Sequence, residues 1–422
     1  MVRVLILIAA IFLAFAVRAA SAAEAPDRYK LRTGIDVSYV ASSGYTSWTE
    51  GLVGKLRYDD NNEGLMISRA FADYEFQLVD TLKVHAAVEA YDDDIGSTVD
   101  FTQAYVEWRP VPRSENRYRL KLGAFYPRIS LENVSAGWSS PYSMSSSTIN
   151  TWVAEELRTV GAELSVSRRP AMFGGGAHSI SLQGAVFFGN DPTGSLLAWK
   201  GWSVHDRQSR FGDELPLPPL PLIQPGMLFD DQDPYVAPFR EIDGQAGYYV
   251  SGEWRFNQQL LIRVMHYDNH ADPTADEDGQ YAWTTKFEHI GAHAALPGDW
   301  DLLFQWMTGS TVMGSVVNGA RDLDTEFNSM FLMLTRVYDR HRLSIRYDRF
   351  EVTENDQTPQ DDNAEDGNAW TLAYFYDFSD KVSFGAESLS IKTDRFSWQY
   401  YGLDPTRTEK QFQLSLRLRF GN

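Results

Sequence analysis

The sequence predicts an all-β protein, a transmembrane antiparallel β-barrel of about 16 strands. Three observations lead to this prediction: apolar and polar residues alternate along most of the chain, short and long connections take turns, and aromatic residues make up 14% of the 422 residues. A mean hydropathy of -0.34 excludes a bundle of membrane-spanning helices. Each of these observations excludes more fold classes than the chain length does.

Composition excludes several classes of function. The chain contains no cysteine, so disulfides, cysteine-ligated zinc and thiol nucleophiles are excluded. Aspartate and glutamate number 57 against 38 lysines and arginines, which gives a net charge of -19. Since phosphate binding depends on basic patches, we expect no nucleic-acid partner.

The N-terminus has the pattern of a secretory signal peptide. Arg3 precedes an apolar run from Val4 to Val17, and small residues follow at Ala20–Ala23. An N-terminal membrane anchor is the alternative, but the run is short for about 30 Å of hydrocarbon. We therefore expect residues 1–23 to be a cleaved signal peptide and residues 24–47 to be a periplasmic lead-in.

Alternation of period 2 indicates strands with one apolar and one polar face. Between Leu82 and Ala90 the apolar even positions alternate with Lys83, His85 and Glu89. The C-terminal segment Gln411–Phe420 alternates in the same way. Segments of about ten residues with this pattern are typical of barrels with a lipid-facing and a lumen-facing side.

Connection lengths favour a membrane barrel over a soluble β-sandwich. Short links such as Val79–Asp80 and Asp339–Arg340 alternate with long polar ones such as Gly309–Asp324 and Thr353–Gly367. Short turns on one rim and long loops on the other are typical of outer-membrane barrels, where the short side is periplasmic. A sandwich does not sort its connections in this way.

Sixteen candidate strands run from Trp48–Tyr58 to Gln411–Phe420, which places the barrel at residues 48–420. Thr33–Val40 also alternates, but a seventeenth strand breaks the up-and-down parity, so we assign it to the lead-in. A barrel of about 18 strands, with one strand inside a long loop, is the alternative.

A barrel of about 16 strands leaves an aqueous lumen. Its inward positions carry charges that require water or partners. Salt bridges along the wall are the structural alternative for some of these side chains. The predicted pore-lining charges are Arg69, Asp73, Lys83, Glu107, Arg109, Arg119, Lys121, Lys286, Arg346 and Arg417.

The third outer loop, residues 127–156, is less acidic than the other outer loops and apolar enough to fold inward. Ser147 to Glu156 fits a short helix with a serine cap. The candidate constriction residues are Arg128, Glu132, Trp138, Glu155 and Glu156.

The fourth outer loop, residues 190–243, contains a proline-rich run from Leu215 to Leu222. This run favours an extended segment outside the sheet. Covering the mouth, lining the vestibule and contacting a neighbouring subunit all remain open.

Three segments resemble the phosphate-selective porin O and P group and related porins: Ile67–Phe71, Asp100–Trp108 and Leu120–Glu132. The resemblance covers roughly Gly54 to Leu164. It implies a sixteen-stranded, homotrimeric porin of the bacterial outer membrane whose third loop folds into the lumen. Independently of the resemblance, we expect outer-membrane lipid as a partner, and lipopolysaccharide bridged by cations on acidic outer loops. The chain lacks a lysine cluster in the loop entry, so phosphate specificity is not carried over.

The expected function is a water-filled channel for passive diffusion of ions and small polar solutes. Basic wall residues facing Glu132 and Glu155 would set up a transverse field. A closed or structural barrel and a barrel enzyme are the alternatives. The eight histidines are scattered, and His289 and His293 would share a sheet face rather than a helix face. We therefore expect no enzymatic activity.

The outer loops carry acidic clusters such as Asp92–Asp94, Asp276–Asp278 and Asp361–Asp362. Such oxygen clusters could hold Ca²⁺ or Mg²⁺, and a solvated, mutually repelling rim is the alternative. We expect no other cofactor.

Overall fold

A computed structural model describes residues 28–93, 95–168 and 178–421 and shows one closed antiparallel barrel of sixteen strands. The predicted signal peptide, residues 1–23, lies outside the described residues. The barrel strands are β1 (Tyr29–Ser43), β2 (Gly64–Val79), β3 (Leu82–Ala90), β4 (Val99–Trp108), β5 (Asn116–Phe125), β6 (Thr159–Arg168), β7 (His178–Phe188), β8 (Gly247–Phe256), β9 (Leu260–Asp268), β10 (Thr284–Leu296), β11 (Trp300–Val317), β12 (Ala320–Tyr338), β13 (His341–Glu354), β14 (Glu365–Ser379), β15 (Val382–Arg395) and β16 (Thr406–Gly421).

Each strand presents an apolar face outward, and the inward positions are polar or small except where apolar side chains such as Phe287, Met307 and Phe327 are buried. In β14, Trp370 and Leu372 are 53% and 51% exposed, whereas Thr371 and Ala373 are buried. Large exposed apolar side chains recur in this way around the outside of the barrel. An outer belt of this kind suits lipid, since it would be costly to leave in water. The predicted fold class, all-β with sixteen strands, is confirmed.

Helices are few and short. The α-helices are α1 (Thr148–Glu156) and α2 (Ser195–Trp199), and 3-10 turns lie at Trp48–Glu50, Ala136–Trp138, Pro221–Ile223 and Phe396–Tyr401. Two small hairpins lie in the loops, one pairing Leu215–Pro216 with Tyr235–Val236 and one pairing Asp276–Glu277 with Gln280–Tyr281. None of the helices in the described parts of the chain could cross a membrane by its length and apolarity.

The first strand was assigned to the wrong segment. β1 pairs with β2 on one side and with β16 on the other, so it closes the barrel. The predicted lead-in, residues 24–47, therefore contains a barrel strand, and the barrel spans residues 29–421 instead of 48–420. Trp48–Tyr58 lies in the loop before β2, because Ser47 and Gly51, with φ at 72°, cap a 3-10 turn and Trp48 is buried among loop residues.

The prediction of a long loop at Gly309–Asp324 is also wrong. β11 and β12 continue through this region and are joined by Asn318 and Gly319 alone, whose φ angles are 55° and 87°. An Asn-Gly pair with both φ angles positive matches the twist of a two-residue hairpin. The two strands extend beyond their neighbours at the long-loop end.

The other connections are sorted between the two ends as predicted. At one end, links such as residues 80–81, 257–259, 339–340 and 380–381 are short. At the other end lie residues 44–63, 126–158, 189–246 and 396–405. The segments 126–158 and 189–246 are the two longest of these connections.

A charged substitution in β1 tests the revised strand assignment. Val37 pairs with Ile67 and Leu416 on the outward face, so Val37→Arg should destabilise the folded barrel by about 2–4 kcal/mol, the cost of arginine near the bilayer midplane. Urea unfolding in lipid vesicles, followed by heat-modifiable gel mobility, measures this change. The matched control is Leu52→Arg, in the segment first assigned as a strand, which should cost little. Equal stability of both variants would contradict a membrane-spanning β1.

Candidate channel interior

The inner wall near the short-turn end carries a ladder of ion pairs between adjacent strands. Arg32 of β1 bonds Asp73 at 3.1 Å and Glu75 at 2.9 Å, both on β2. Lys83 of β3 lies 3.5 Å from Glu75. These pairs lie on one face of neighbouring strands, so Asp73 and Lys83 belong to the same ladder, and their role in lining a pore stays a prediction.

Most of the predicted wall charges have a carboxylate partner. Arg69 forms a two-pronged contact with Glu89, and Lys121 lies 3.5 Å from Glu163. Arg119 donates to Ser165 at 3.0 Å. Glu107 of β4 pairs with Arg109 at 2.5 Å. The structural alternative of salt bridging along the wall therefore accounts for much of this charge.

Lys286 was assigned to the wrong face. Its neighbours Thr285 and Phe287 are buried on the inner face, and Lys286 itself is exposed on the outer face of β10 near Asp268. The register of β10 against β11 fixes this, since Phe287 lies opposite Gly309 and Lys286 opposite Ser310. A shift of one residue reverses which side chains face the lumen.

Arg346 and Arg417 hold the third outer loop against the inner wall. Arg346 of β13 is buried and donates to the carbonyl oxygens of Ser145 at 2.8 Å and Ser146 at 2.9 Å. Arg417 of β16 donates to the carbonyl oxygen of Ser140 at 2.9 Å. Sequence reasoning placed both arginines on the wall but did not foresee that they bind loop backbone.

Glu132 organises the same loop from within. Its carboxylate accepts from the Ser147 backbone N–H at 2.7 Å and from the Asn150 amide at 2.7 Å, and it lies 3.2 Å from Arg346. Ser147 caps α1 as predicted, since its side chain accepts from the Asn150 backbone N–H. Glu132 is fully buried, so its charge is matched inside the protein.

α1 packs against inner-face side chains of the barrel. Trp152 lies between Phe287 of β10 and Phe327 of β12, with ring centroids 5.6 and 5.2 Å apart. The Thr148 backbone N–H donates to Asp348 of β13 at 3.1 Å. The segment between β5 and β6 thus contacts the inner faces of several strands.

The first part of the fourth outer loop joins this assembly, which sequence reasoning missed. Glu155 binds Lys200 directly and lies 2.8 Å from His205. Glu156 accepts from the backbone N–H groups of Gly194 at 3.0 Å and Leu196 at 3.1 Å, which start α2. The sequence does contain one sign of this contact: residues 200, 205, 207 and 210 are basic, whereas the other outer loops are acidic.

Gly194 shows how closely this loop approaches the wall. Its φ is 100°, and a Cβ there would collide with the hydroxyls of Thr285 and Thr311 on β10 and β11. Trp202 donates its backbone N–H to Glu365 of β14 at 2.9 Å. Gly194 and Trp202 therefore contact inward-facing side chains of β10, β11 and β14.

The second part of the loop forms a smaller core near the long-loop end. The four leucines of the proline-rich run are buried there with Trp48, Trp199 and Trp283. Apart from the small hairpin with Tyr235–Val236, the run stays out of the barrel sheet, as expected for a proline-rich segment.

The pKa values of two adjacent loop carboxyls are shifted in opposite directions. Burial opposes ionisation of Glu155, but Lys200 and His205 outweigh it and lower its pKa to about 2. Burial raises the pKa of Glu156 to about 7 despite its hydrogen bonds from Leu196 and Trp152. Glu155 is thus an ion-pair partner, whereas Glu156 holds a proton near neutral pH.

The remaining two predicted constriction residues differ in their surroundings. The Arg128 side chain is 43% exposed, lies 3.9 Å from Glu253 and lines a cavity. Trp138 is partly buried, with its ring centroid 5.1 Å from that of Tyr126. The five predicted residues therefore divide into three buried anchors, one partly buried ring and one arginine at a cavity.

A cavity of about 570 Å³ lies at the short-turn end of the lumen beside β4 to β8. Serines and Gln183 contribute to its floor, and Asp80 and Glu253 are its carboxylates. We call it the arginine vestibule. Its arginines are Arg109, Arg117, Arg119, Arg128, Arg168 and Arg255.

Carboxylates in the outer loops come close enough together to share a cation. Two described groups have oxygens within 4.8 Å of one another. Binding of Ca²⁺ or Mg²⁺ stays a prediction. The two groups are Asp191, Glu241 and Asp243, and Glu354, Asp356 and Asp361.

Comparison with known proteins finds similarity in structure only. No family model matches the chain, and no curated protein matches its sequence. The outer membrane channel DcaP of Acinetobacter baumannii aligns over 93% of this chain and 96% of its own, at 10% identity and a TM-score of 0.51. OmpF of Salmonella typhi, in complex with daunomycin, aligns over 93% and 97%, at 10% identity and a TM-score of 0.50. These likenesses support the barrel fold, and the phosphate-selective family stays unconfirmed.

Removal of the Glu155 charge should loosen the contact between the two loops. Glu155→Gln leaves Lys200 buried without its carboxylate, and breaking a buried ion pair costs about 3–5 kcal/mol. Hydrogen exchange of residues 195–205 should therefore accelerate. Glu214→Gln, an exposed position in the same loop, is the control and should leave exchange unchanged. Unaltered exchange in Glu155→Gln would show that this ion pair does not hold the loops together.

The raised pKa of Glu156 predicts a pH dependence of the same contact. Because its folded pKa of about 7 exceeds the ordinary 4.5, loop packing should weaken as pH rises from about 4.5 to about 7 and change little above that. Asp191, whose pKa burial also raises to about 7, acts in the same direction. Glu156→Gln should therefore reduce the slope without abolishing it. Proteolysis of residues 190–213 across this pH range measures the slope, and an identical slope in the variant would contradict the assignment.

Proposed function

We propose that the chain is a porin of the bacterial outer membrane, a water-filled channel for passive diffusion of ions and small polar solutes. The observation that carries the proposal is a closed sixteen-stranded barrel with an apolar outer belt and a charged inner wall. A barrel of this size is too wide to be filled by its own wall side chains. The signal-peptide pattern and the outer-membrane barrels of the same fold support the location.

Two loops form the constriction in this proposal. Segment 126–158 is anchored by Arg346 and Arg417, and residues 190–213 are joined to it through Glu155 and Glu156. Both belong to the long-loop half of the lumen. The proposed constriction is therefore a joint structure of the third and fourth outer loops, which favours a gatekeeping role for the first part of the fourth loop.

The accessible charge at the foot of the constriction is basic. Glu132, Glu155 and Glu156 are buried and engaged, so they are poor sources of a transverse field in the water path. Arg32 of β1 is 42% exposed, and Arg128 at the entry of the third loop is similarly open. The proposed passage follows the wall from β1 to β8, where these side chains meet the lumen.

A closed barrel is the second candidate, because the loop assembly buries so many contacts in the long-loop half. A homotrimer, implied by the resemblance, is part of the main proposal and is tested by the mass of the detergent-solubilised assembly. Nothing in the arrangement of the scattered histidines favours an enzyme: His293, for instance, pairs with Asp301 at 2.7 Å across adjacent strands.

Single-channel recording decides between an open and a closed barrel. Purified protein in a planar bilayer should give stepwise conductance, and Arg346→Ala should raise the conductance or its noise, because it frees the loop carbonyls that Arg346 holds. Arg349→Ala on the same strand, which removes an exposed pair with Asp366, is the matched control. Heat-modifiable, correctly folded protein without any conductance steps would overturn the channel and leave the closed barrel.

A further inference from the structure

We propose that the arginine vestibule binds elongated organic anions that carry two or more carboxylates, and that these are the solutes for which the channel is selective. This inference rests on the proposed channel function and names its substrate class. The site lies at the short-turn end, below the constriction, and is built from β4, β5, β8 and the start of the third loop.

The vestibule lining holds more guanidinium groups than carboxylates. Six arginines line it, and Asp80 and Glu253 are the carboxylates of the lining. Arg109, Arg119 and Arg168 are paired with Glu107, Glu163 and Glu115, which lie outside the lining. Arg128 and Arg255 share Glu253, which also accepts from Arg263 at 2.6 Å, so the lining keeps unused guanidinium donors. An anion is therefore the ligand that the vestibule attracts.

The arginines keep donors free for a ligand. Arg117 is exposed and makes no ion pair within the described parts of the chain. Arg255 is 41% exposed although it contacts Glu253. A guanidinium has five N–H donors in a planar fork that matches a carboxylate, so one contact leaves several donors unused. Both arginines can bind a ligand without losing their present partners.

The distance between the two groups of arginines favours an elongated ligand. Arg117 and Arg119 lie on β5, and Arg255 lies on β8, with β6 and β7 between them. Three strand spacings of about 4.8 Å separate the two groups by about 14 Å along the wall. A compact anion reaches one group at a time, whereas an elongated one with a carboxylate at each end reaches both.

On the inner face, the surface between the two groups is polar and uncharged, since Arg168 at the end of β6 is exposed and paired with Glu115. Ser165 on β6, with Ser181 and Gln183 on β7, lies on the inner face in this interval. These side chains can bond water or the middle of a ligand without repelling it. A cavity of about 570 Å³ is also within the range of about 300–1,000 Å³ typical of small-molecule sites. An elongated dicarboxylate therefore fits both the charge and the shape.

Arg128 connects the vestibule to the constriction. It belongs to the third loop, two positions after Tyr126, and its side chain reaches towards Glu253 on the wall. An anion held by Arg117 and Arg255 would thus lie at the foot of the constriction, in the proposed water path. Binding at this place should reduce the ion current through the channel.

Blockage of single-channel current tests the proposal. We would add suberate, a long linear dicarboxylate, to each side of a planar bilayer in turn, and compare it with malonate, inorganic phosphate and a neutral disaccharide. Suberate should block at a concentration about tenfold lower than malonate or phosphate, and more strongly from the side of the short turns. Equal block by phosphate and suberate, or block only by the disaccharide, would overturn the substrate class.

Variants locate the site. Arg117→Gln alone, and together with Arg255→Gln, should raise the blocking concentration of suberate by about tenfold or more. Arg340→Gln removes an arginine from a short turn on another part of the rim and should leave the block unchanged. Heat-modifiable mobility confirms that each variant folds. Suberate block that persists undiminished in the double variant would overturn the site.

Calorimetry separates this proposal from the proposed function. Titration of suberate into the detergent-solubilised wild-type protein and the double variant measures binding without conductance. Protein that binds suberate through these arginines but conducts no ions refutes the channel and retains the site. Protein that conducts ions but neither binds suberate nor is blocked by it refutes the site and retains the channel.

Discussion

The structure depends on one constraint, the closure of the hydrogen-bond ladder between the first and last strands. Residues 32–43 of β1 lie opposite residues 410–421 of β16, so no strand edge is left open to lipid. Unpaired backbone groups in hydrocarbon cost several kcal/mol each, which is why only helices and closed barrels cross membranes. Closure with sixteen strands then sets the diameter, and the diameter creates an interior that side chains of the wall cannot fill.

The two ends of the lumen differ in how their charged side chains are paired. In the long-loop half, the carboxylates of Glu132 and Glu155 are buried against Arg346 and Lys200, and they fix two loops in place. Buried charges of this kind contribute to a unique loop conformation more than to net stability. At the short-turn end, arginines outnumber carboxylates and remain partly exposed. The same residue types therefore serve as internal anchors at one end and as an accessible surface at the other.

The sequence predicted the strands well because the polarity of each strand residue in a membrane barrel depends on whether the residue faces lipid or water. The strand count was correct, yet the first strand was misplaced, since the aromatic and apolar spacing of Trp48–Tyr58 imitates a strand while its side chains pack in a loop. The Asn318–Gly319 turn carried a local signal that was available. For the loop assembly the sequence showed only that residues 200–210 are basic, and not their partners: Glu155 and Lys200 are 45 positions apart, and their pairing depends on the folded lumen.

The long hairpin of β11 and β12 extends beyond the neighbouring strands at the long-loop end. β11 has 18 residues, which at about 3.3 Å each extend roughly 60 Å, well over the length needed to cross an apolar band of about 25 Å even when tilted. Its tip is two residues long and has exposed Val316 and Val317 beside it. A foreign peptide inserted between Asn318 and Gly319 would lie beyond the loop core that buries Met313 and Leu323, on a tip whose own residues are exposed.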